Sequence, residues 1–139
     1  MKDCIFCKII NNEIPSFKLY ENEYILAFLD ISQVTKGHVL IIPKEHYKDI
    51  HELDETAAKN IFKNVPELAT AVKEAFNASG INIVNNNGEA AGQTVFHYHV
   101  HIIPRYNEKD GFRTIFTNNM DRYTNDDLKQ IANQIKDKL

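Results

Sequence analysis

Hydrophobic positions fall into several rhythms along this chain, and each predicts a different kind of element. Between Cys4 and Ile10, the residues Ile5, Phe6, Ile9 and Ile10 can share one helical face, with Pro15 beyond the end, which predicts a short helix. Phe17-Lys18-Leu19-Tyr20 and Tyr24-Ile25-Leu26-Ala27-Phe28-Leu29 flank the polar Glu21-Asn22-Glu23 and predict two strands joined by a tight turn. After Gly37 the run His38-Val39-Leu40-Ile41-Ile42-Pro43 is nearly all apolar, as suits a strand buried on both faces in mid-sheet. From Asp54 to Phe76 the positions Ala58, Ile61, Phe62, Val65, Leu68, Ala69, Val72 and Phe76 recur at the helical period. This is the longest helix, with Asp54 as its N-cap and Gly80 just past its end. Pro66 inside it lacks a backbone donor and is expected to kink or divide it. Ile81-Asn82-Ile83-Val84 predicts a further strand, Asn85-Asn86-Asn87-Gly88 a turn, and Phe96 to Ile103 a fifth strand ended by Pro104. Thr124-Asn125-Asp126-Asp127 predicts a capping box for a C-terminal helix over about 124–138, carrying Leu128, Ile131 and Ile135 with Leu139 at its end.

Strands in succession without regular βαβ alternation predict an α+β domain. Its five-stranded sheet is expected to be mainly antiparallel, accompanied by one long helix, a short N-terminal helix and a C-terminal helix. With 139 residues, 43% of them hydrophobic, the chain suits one domain over 1–139, its core at about 4–113 and the remainder a C-terminal extension. A net charge of -3 offers no general attraction to nucleic acid or acidic membranes, so any anion site must be built locally. No run of 18 apolar residues occurs, and Met1-Lys2-Asp3-Cys4 leads into an apolar stretch too short for a signal-peptide core, so the cytoplasm is expected. Two cysteines spaced C-x-x-C argue against a disulfide framework and for a metal-binding or redox pair.

The chemistry concentrates in Phe96-His97-Tyr98-His99-Val100-His101-Ile102-Ile103, where three of the six histidines alternate with apolar residues. In an extended segment that period puts three imidazoles on one face. Imidazole titrates near neutrality and serves as nucleophile, proton carrier or ligand. The outer two Cα atoms would stand roughly 13 Å apart at about 3.3 Å per residue. Nitrogen ligands at about 2.0–2.1 Å therefore cannot all converge on one ion. A linear row better matches an extended phosphodiester or phosphoanhydride. The middle residue, His99, would attack phosphorus to give a phosphoryl-imidazole that water cleaves. Crowded imidazoles also disfavour joint protonation, which keeps a neutral nucleophile available.

The segment His97-Tyr98-His99-Val100-His101-Ile102-Ile103 resembles the signature of the histidine triad (HIT) family of nucleotide-binding proteins. The resemblance extends through Cys4-Ile5-Phe6-Cys7-Lys8-Ile9-Ile10, Ala27-Phe28-Leu29-Asp30-Ile31, Gly37 to Pro43 and Gly92-Gln93-Thr94-Val95, covering roughly residues 4 to 113. It implies a HIT-like fold and nucleophilic attack by His99 on a nucleotide α-phosphate. It further implies that His38, His97 and His101 orient or polarise the centre, and that Gln93 and Thr94 contact phosphate oxygens or the leaving group. Asp30 would accept from ribose hydroxyls, Asn86 and Gly92 would face the nucleotide, and Ile5, Phe6, Phe28, Ile31 and Leu40 would enclose a purine base.

Some members of that family bind zinc through a cysteine pair, a histidine after the central strand and the first triad histidine, which correspond here to Cys4, Cys7, His46 and His97. His97 would then be structural, and a redox dithiol is the competing use of the pair. The family also implies a homodimer whose interface includes the long helix. The expected activity is hydrolysis of nucleoside phosphoramidates or related nucleotidyl compounds. Three alternatives are a dinucleoside polyphosphate hydrolase, a nucleotide-binding regulatory module with little turnover, and a metal-binding protein without nucleotide. Arg105 departs from the glycines that follow the triad in many phosphoramidases, whereas Ile103-Pro104-Arg105 resembles the polyphosphate branch.

Overall fold

Strand order explains why so much of the chain is apolar in continuous runs. The computed structural model describes residues 3–139; Met1 and Lys2, the start of the stretch read above as no signal peptide, lie outside the described residues. Five strands, β1 (Lys18–Glu21), β2 (Ile25–Leu29), β3 (Val39–Pro43), β4 (Gly80–Val84) and β5 (Val100–Arg105), form one sheet in the order β1-β2-β3-β5-β4. All four pairings are antiparallel, in keeping with the α+β expectation. β3 occupies the centre and is buried at every residue.

Alternation divides the strands between two cores. Ile25, Ala27, Val39, Ile41, Val100 and Ile102 face helix α2 (Glu55–Ala75), which supplies Ile61, Val65 and Val72. Leu26, Phe28, Leu40 and Ile42 face the opposite way, under Phe6 and Ile9 of helix α1 (Ile5–Ile10). Both faces are covered, so truncating Ile41, which is fully buried, to Ala is expected to cost about 2–5 kcal/mol. Asp54 caps α2 by accepting the Ala57 N–H at 2.8 Å.

Four features depart from the expectations above. The histidine strand begins at Val100, not Phe96, and runs through Pro104 to Arg105. Pro104 is tolerated because β3 stops pairing at Ile102, and the Pro104 carbonyl instead accepts from Thr35 Oγ1 at 2.7 Å. Residues 95–99 run before the strand, where the Tyr98 N–H donates to the Tyr47 carbonyl at 2.6 Å. Second, Pro66 does not divide α2, which continues unbroken across it with Pro66 on the exposed side. Third, Phe62 and Phe76 match the helical period but stand 48% and 37% exposed; Phe62 follows Ile61 round the helix and points off the sheet. Fourth, His38 and Tyr24 lie just outside the strands predicted to include them. The C-terminal helix α3 (Asn125–Lys136) has the reciprocal capping box of Thr124 and Asp127, yet none of its residues is buried.

Candidate active site and metal cluster

The alternation of the histidine row survives although most of it is not strand. Tyr98 and Val100 turn into the α2 core, and His97, His99 and His101 lie on the α1 side. His97 and His99 are almost fully enclosed, and so is His38 at the end of the loop before β3. The three triad members have different surroundings.

His99 has its ring fixed by its own neighbour. Its Nδ1–H donates to the His97 carbonyl at 2.7 Å, so the lone pair resides on Nε2. The Phe6 ring meets the imidazole edge-on with centroids 5.2 Å apart, and Phe28 backs Phe6 at 5.7 Å. Burial disfavours the imidazolium and pushes the His99 pKa down, against opposing contributions from the His97 carbonyl and Asp30. The side chain of Asn85 donates to the His99 carbonyl at 2.9 Å. Asn85 is in turn bonded by Asn87, whose oxygen takes the Ile50 N–H at 2.8 Å.

A second chain of bonds sets the His101 ring. The Val34 N–H points to His38 Nδ1 at 3.4 Å, making that nitrogen the acceptor and Nε2 the protonated one. His38 Nε2–H therefore donates to His101 Nδ1 at 2.9 Å, which leaves the His101 proton on Nε2 as a free donor. Burial, then His99 and His38, lower the His101 pKa to about 4, against Asp30. Burial also lowers that of His38, with Asp30 opposing. Side by side at 5.0 Å between ring centroids, His99 and His101 present a lone pair and an N–H. That combination suits attack on an electrophilic centre whose oxygens need a donor.

His97 belongs to another group. Its Nε2–H donates to the Pro43 carbonyl at 2.8 Å, which turns the Nδ1 lone pair toward Cys4, Cys7 and His46. His46 Nδ1 is 3.2 Å from His97 Nδ1, Cys4 Sγ is 3.4 Å from His97 Nδ1, and Cys7 Sγ is 3.4 Å from His46 Nδ1 and 3.6 Å from His97 Nδ1. All four ligand atoms lie within 4.8 Å of one another. A tetrahedral ion with bonds of about 2.0–2.1 Å to nitrogen and about 2.3 Å to sulfur sets nitrogen–nitrogen near 3.3 Å and nitrogen–sulfur near 3.6 Å. The four residues thus fit a metal ion with little movement, and the cysteines are free thiols.

The remaining candidates are distributed unevenly. Ile5 and Thr94 line an open groove of about 460 Å³ beside the cluster, together with Val95 and Phe96. Leu40 and Phe28 are buried beneath Phe6. Asp30 is half-buried; Oδ1 takes the Ser32 N–H at 2.8 Å, and Oδ2 stands 3.7 Å from His38 Nε2. Ile31 is 86% exposed, open to solvent. Asn86 is half-buried and faces Gly92, whose φ of +89° closes the short 3-10 turn Glu89–Ala91 ahead of Thr94. Gln93 is buried with its whole amide engaged: Oε1 takes the Gly88 N–H at 2.8 Å, and Nε2 donates to the carbonyls of Lys48 at 2.8 Å and Val95 at 3.1 Å. All three partners are loop backbone. Asn85 and the backbone of Val34 and Pro43 escaped sequence reasoning. Asn85 alone had a signal, since it directly follows a strand that antiparallel pairing lays beside the histidines.

Comparison with known proteins agrees with this geometry. The family model described as HIT domain matches residues 11–108. The Bacillus subtilis protein named "Protein hit" is 52% identical over 138 residues, 99% of this chain and 95% of that protein. An adenosine 5'-monophosphoramidase of Schizosaccharomyces pombe is 45% identical over 108 residues, 78% of each chain. Among solved structures, a HIT family protein of Bacillus anthracis superposes with a TM-score of 0.95 at 53% identity, covering 99% of this chain and 97% of that one. A HIT family member of Bacillus subtilis gives 0.96 at 52%, with the same coverages. A zinc-bound histidine triad family protein of Mycobacterium smegmatis gives 0.75 at 33%, covering 96% and 98%. With its triad, its fold and a match across most of its length, this chain belongs to the HIT domain family.

Proposed function

We propose that the protein hydrolyses nucleoside phosphoramidates and related nucleotidyl compounds through a covalent intermediate on His99. The observation that carries this reading is the 2.7 Å bond from His99 Nδ1–H to the His97 carbonyl, which frees Nε2 beside the His101 donor. The Nε2 lone pair forms a bond to the α-phosphorus as the phosphorus–amine bond breaks. The departing nitrogen takes a proton from solvent at the open groove and leaves as a neutral amine, a proton given back when water adds in the second step, while His101 Nε2–H steadies a phosphoryl oxygen. Water then adds to phosphorus, the phosphorus–imidazole bond breaks, and the nucleoside monophosphate leaves with His99 neutral again. Thr94, exposed at the groove, suits contact with the leaving group, and the Gly92 backbone and Asn86 suit the phosphate side. The free Oδ2 of Asp30 suits a ribose hydroxyl, and Ile5, Phe6, Phe28 and Leu40 form an apolar wall for a purine base, which Ile31 would complete. Gln93 holds the loop that presents Thr94. The relative named adenosine 5'-monophosphoramidase favours this class over dinucleoside polyphosphates.

Incubation with an adenosine phosphoramidate and rapid acid quench should show an adenylyl mass increment on the peptide carrying His99. His99→Ala should lose both increment and turnover. Binding without increment would leave a nucleotide-binding regulatory module, and faster turnover of a diadenosine polyphosphate would move the substrate class.

The ion that suits Cys4, Cys7, His46 and His97 best is zinc, as in the Mycobacterium smegmatis neighbour. Bound there it would tie α1 to the loops around His97, a structural task. The reduced cysteines this requires fit a cytoplasmic setting, and no described helix is long and apolar enough to cross a membrane. The outward row Ala58, Phe62, Pro66 on α2 supports a homodimer formed through that helix.

A further inference from the structure

Sheet register gathers a second set of ligand atoms, separate from the cysteine cluster. β2 and β3 pair with Leu29 opposite Val39, and just beyond that pair the Asp30 N–H donates to the His38 carbonyl at 3.1 Å. β3 and β5 pair with Leu40 opposite His101, which makes His38 and His101 diagonal neighbours. Alternate residues share a face, so Asp30 falls with Phe28 and His38 with Leu40 on the side that α1 covers. Three adjacent strands thus hold a carboxylate and two imidazoles together, and one donor atom of each lies within 4.8 Å of the other two.

The donor atoms already point at one another. Asp30 Oδ1 is taken by the Ser32 N–H, which leaves Oδ2 3.7 Å from His38 Nε2, and His38 Nε2 stands 2.9 Å from His101 Nδ1. Two imidazoles and a carboxylate are a donor set that zinc and related ions take, with bonds of about 2.0–2.2 Å that put tetrahedral donors about 3.3–3.5 Å apart. One separation would open and the other close by a few tenths of an ångström, which side-chain rotation supplies without moving a strand. Burial keeps both imidazoles neutral at pH 7, the form that binds metal. Asp30 and His101 are only half-buried, so an ion can reach them from solvent.

We propose that Asp30, His38 and His101 form a second metal site, which takes a divalent transition cation such as zinc or cobalt and in doing so shuts the nucleotide site. On binding, the proton between His38 Nε2 and His101 Nδ1 passes to His38 Nδ1, which gives up the long contact to the Val34 N–H at 3.4 Å, and His101 keeps its Nε2 proton. The ion takes the Asp30 oxygen assigned above to a ribose hydroxyl and parts His101 from the donor that orients it. Ion and nucleotide therefore exclude each other, each weakening the other's binding by the same factor. This exclusion rests on the nucleotide reading given above; the metal site itself does not.

Full-length protein carrying one equivalent of zinc, which the two thiolates hold more tightly, is titrated with cobalt(II) and followed by visible absorption and plasma mass spectrometry. One further cobalt per chain is expected, with d–d bands but no thiolate-to-cobalt charge transfer, because its donors are nitrogen and oxygen. Asp30→Asn and His38→Phe should each raise its dissociation constant at least tenfold, while one zinc per chain stays in the cysteine cluster and reports an intact fold. Saturating adenosine monophosphate should raise that constant at least tenfold in the unaltered protein. No further cobalt at millimolar ion, a further cobalt that shows thiolate charge transfer, or one that both variants bind as well as the unaltered protein overturns the site. Bound adenosine monophosphate that leaves the cobalt affinity unchanged overturns the exclusion. A chain that takes the ion as expected yet never binds adenosine monophosphate overturns the nucleotide reading and leaves the metal site standing.

Discussion

Replacing His38 by Phe tests the bond chain that decides which nitrogen of His101 carries its proton. The ring is retained in a site that is 2% exposed, but the donor to His101 Nδ1, 2.9 Å away, is removed. The Val34 bond at 3.4 Å is long and weak, so the His38–His101 bond is the stronger of the two. Without it the two neutral forms of His101 become nearly equal, which by itself halves the productive population. The larger loss comes in the transition state, when charge gathers on the phosphoryl oxygens and the relay becomes charge-assisted. A bond of that kind contributes about 1.5–3 kcal/mol. At 1.36 kcal/mol per factor of ten, kcat should fall about 10- to 150-fold, with KM nearly unchanged. The assay is steady-state hydrolysis of an adenosine phosphoramidate, alongside long-range 15N–1H spectra of the histidines. The unaltered protein should show His99 protonated at Nδ1 and His101 at Nε2. A kcat within twofold of normal, or a His101 proton found on Nδ1, would refute the relay.

Three other outcomes follow from the same geometry. Gln93→Ala removes three loop bonds and should lower stability by about 2–4 kcal/mol in urea titrations; unchanged stability with a collapsed kcat would return Gln93 to the phosphate. Cys4→Ser should reduce bound metal, measured by plasma mass spectrometry, from about one ion per chain to a small fraction of that, because a closed site needs its fourth ligand. On acidification stability should fall from about pH 6.5 toward pH 4. His38 and His101 have lowered pKa values in the fold, so the unfolded chain binds protons first, and the decline should be shallower in His38→Phe/His101→Phe.

Much of the architecture follows from periodicity because burial on two faces leaves a strong trace. Ile25 to Leu29 and Val39 to Pro43 read as strands since alternate residues enter different cores and none can be polar. Periodicity failed where an element's apolar face exceeds what its own chain covers. Phe62 repeats at the helical interval yet stands 48% exposed, off the face that the sheet covers. Strand limits failed for a related reason. His97 and His99 keep the alternation, but the His97 carbonyl accepts from the His99 ring, the His99 carbonyl from Asn85, and the Tyr98 N–H between them donates to Tyr47, and side-chain spacing carries no record of that. Gln93 shows the limit of motif reasoning: an amide beside a histidine row suits phosphate or backbone equally well, and its bonds to Gly88, Lys48 and Val95 are loop contacts that spacing does not reveal.

His97 joins two tasks that the row alone could not separate. Its ring turns one nitrogen to Pro43 and the other to the cysteine cluster, while its carbonyl holds the proton of His99. A carbonyl can fix an imidazole only if its own peptide is fixed, and residues 95–99 lack the strand ladder that would do so. The ring bonds supply that restraint from one side, and the Tyr98 N–H bond to Tyr47 supplies it from the other. An ion shared by His97, His46 and the two cysteines would add a third restraint drawn from α1 and the loop after β3. The alternation His-x-His therefore has a mechanical meaning: the first histidine secures the segment so that its carbonyl can choose the tautomer of the second.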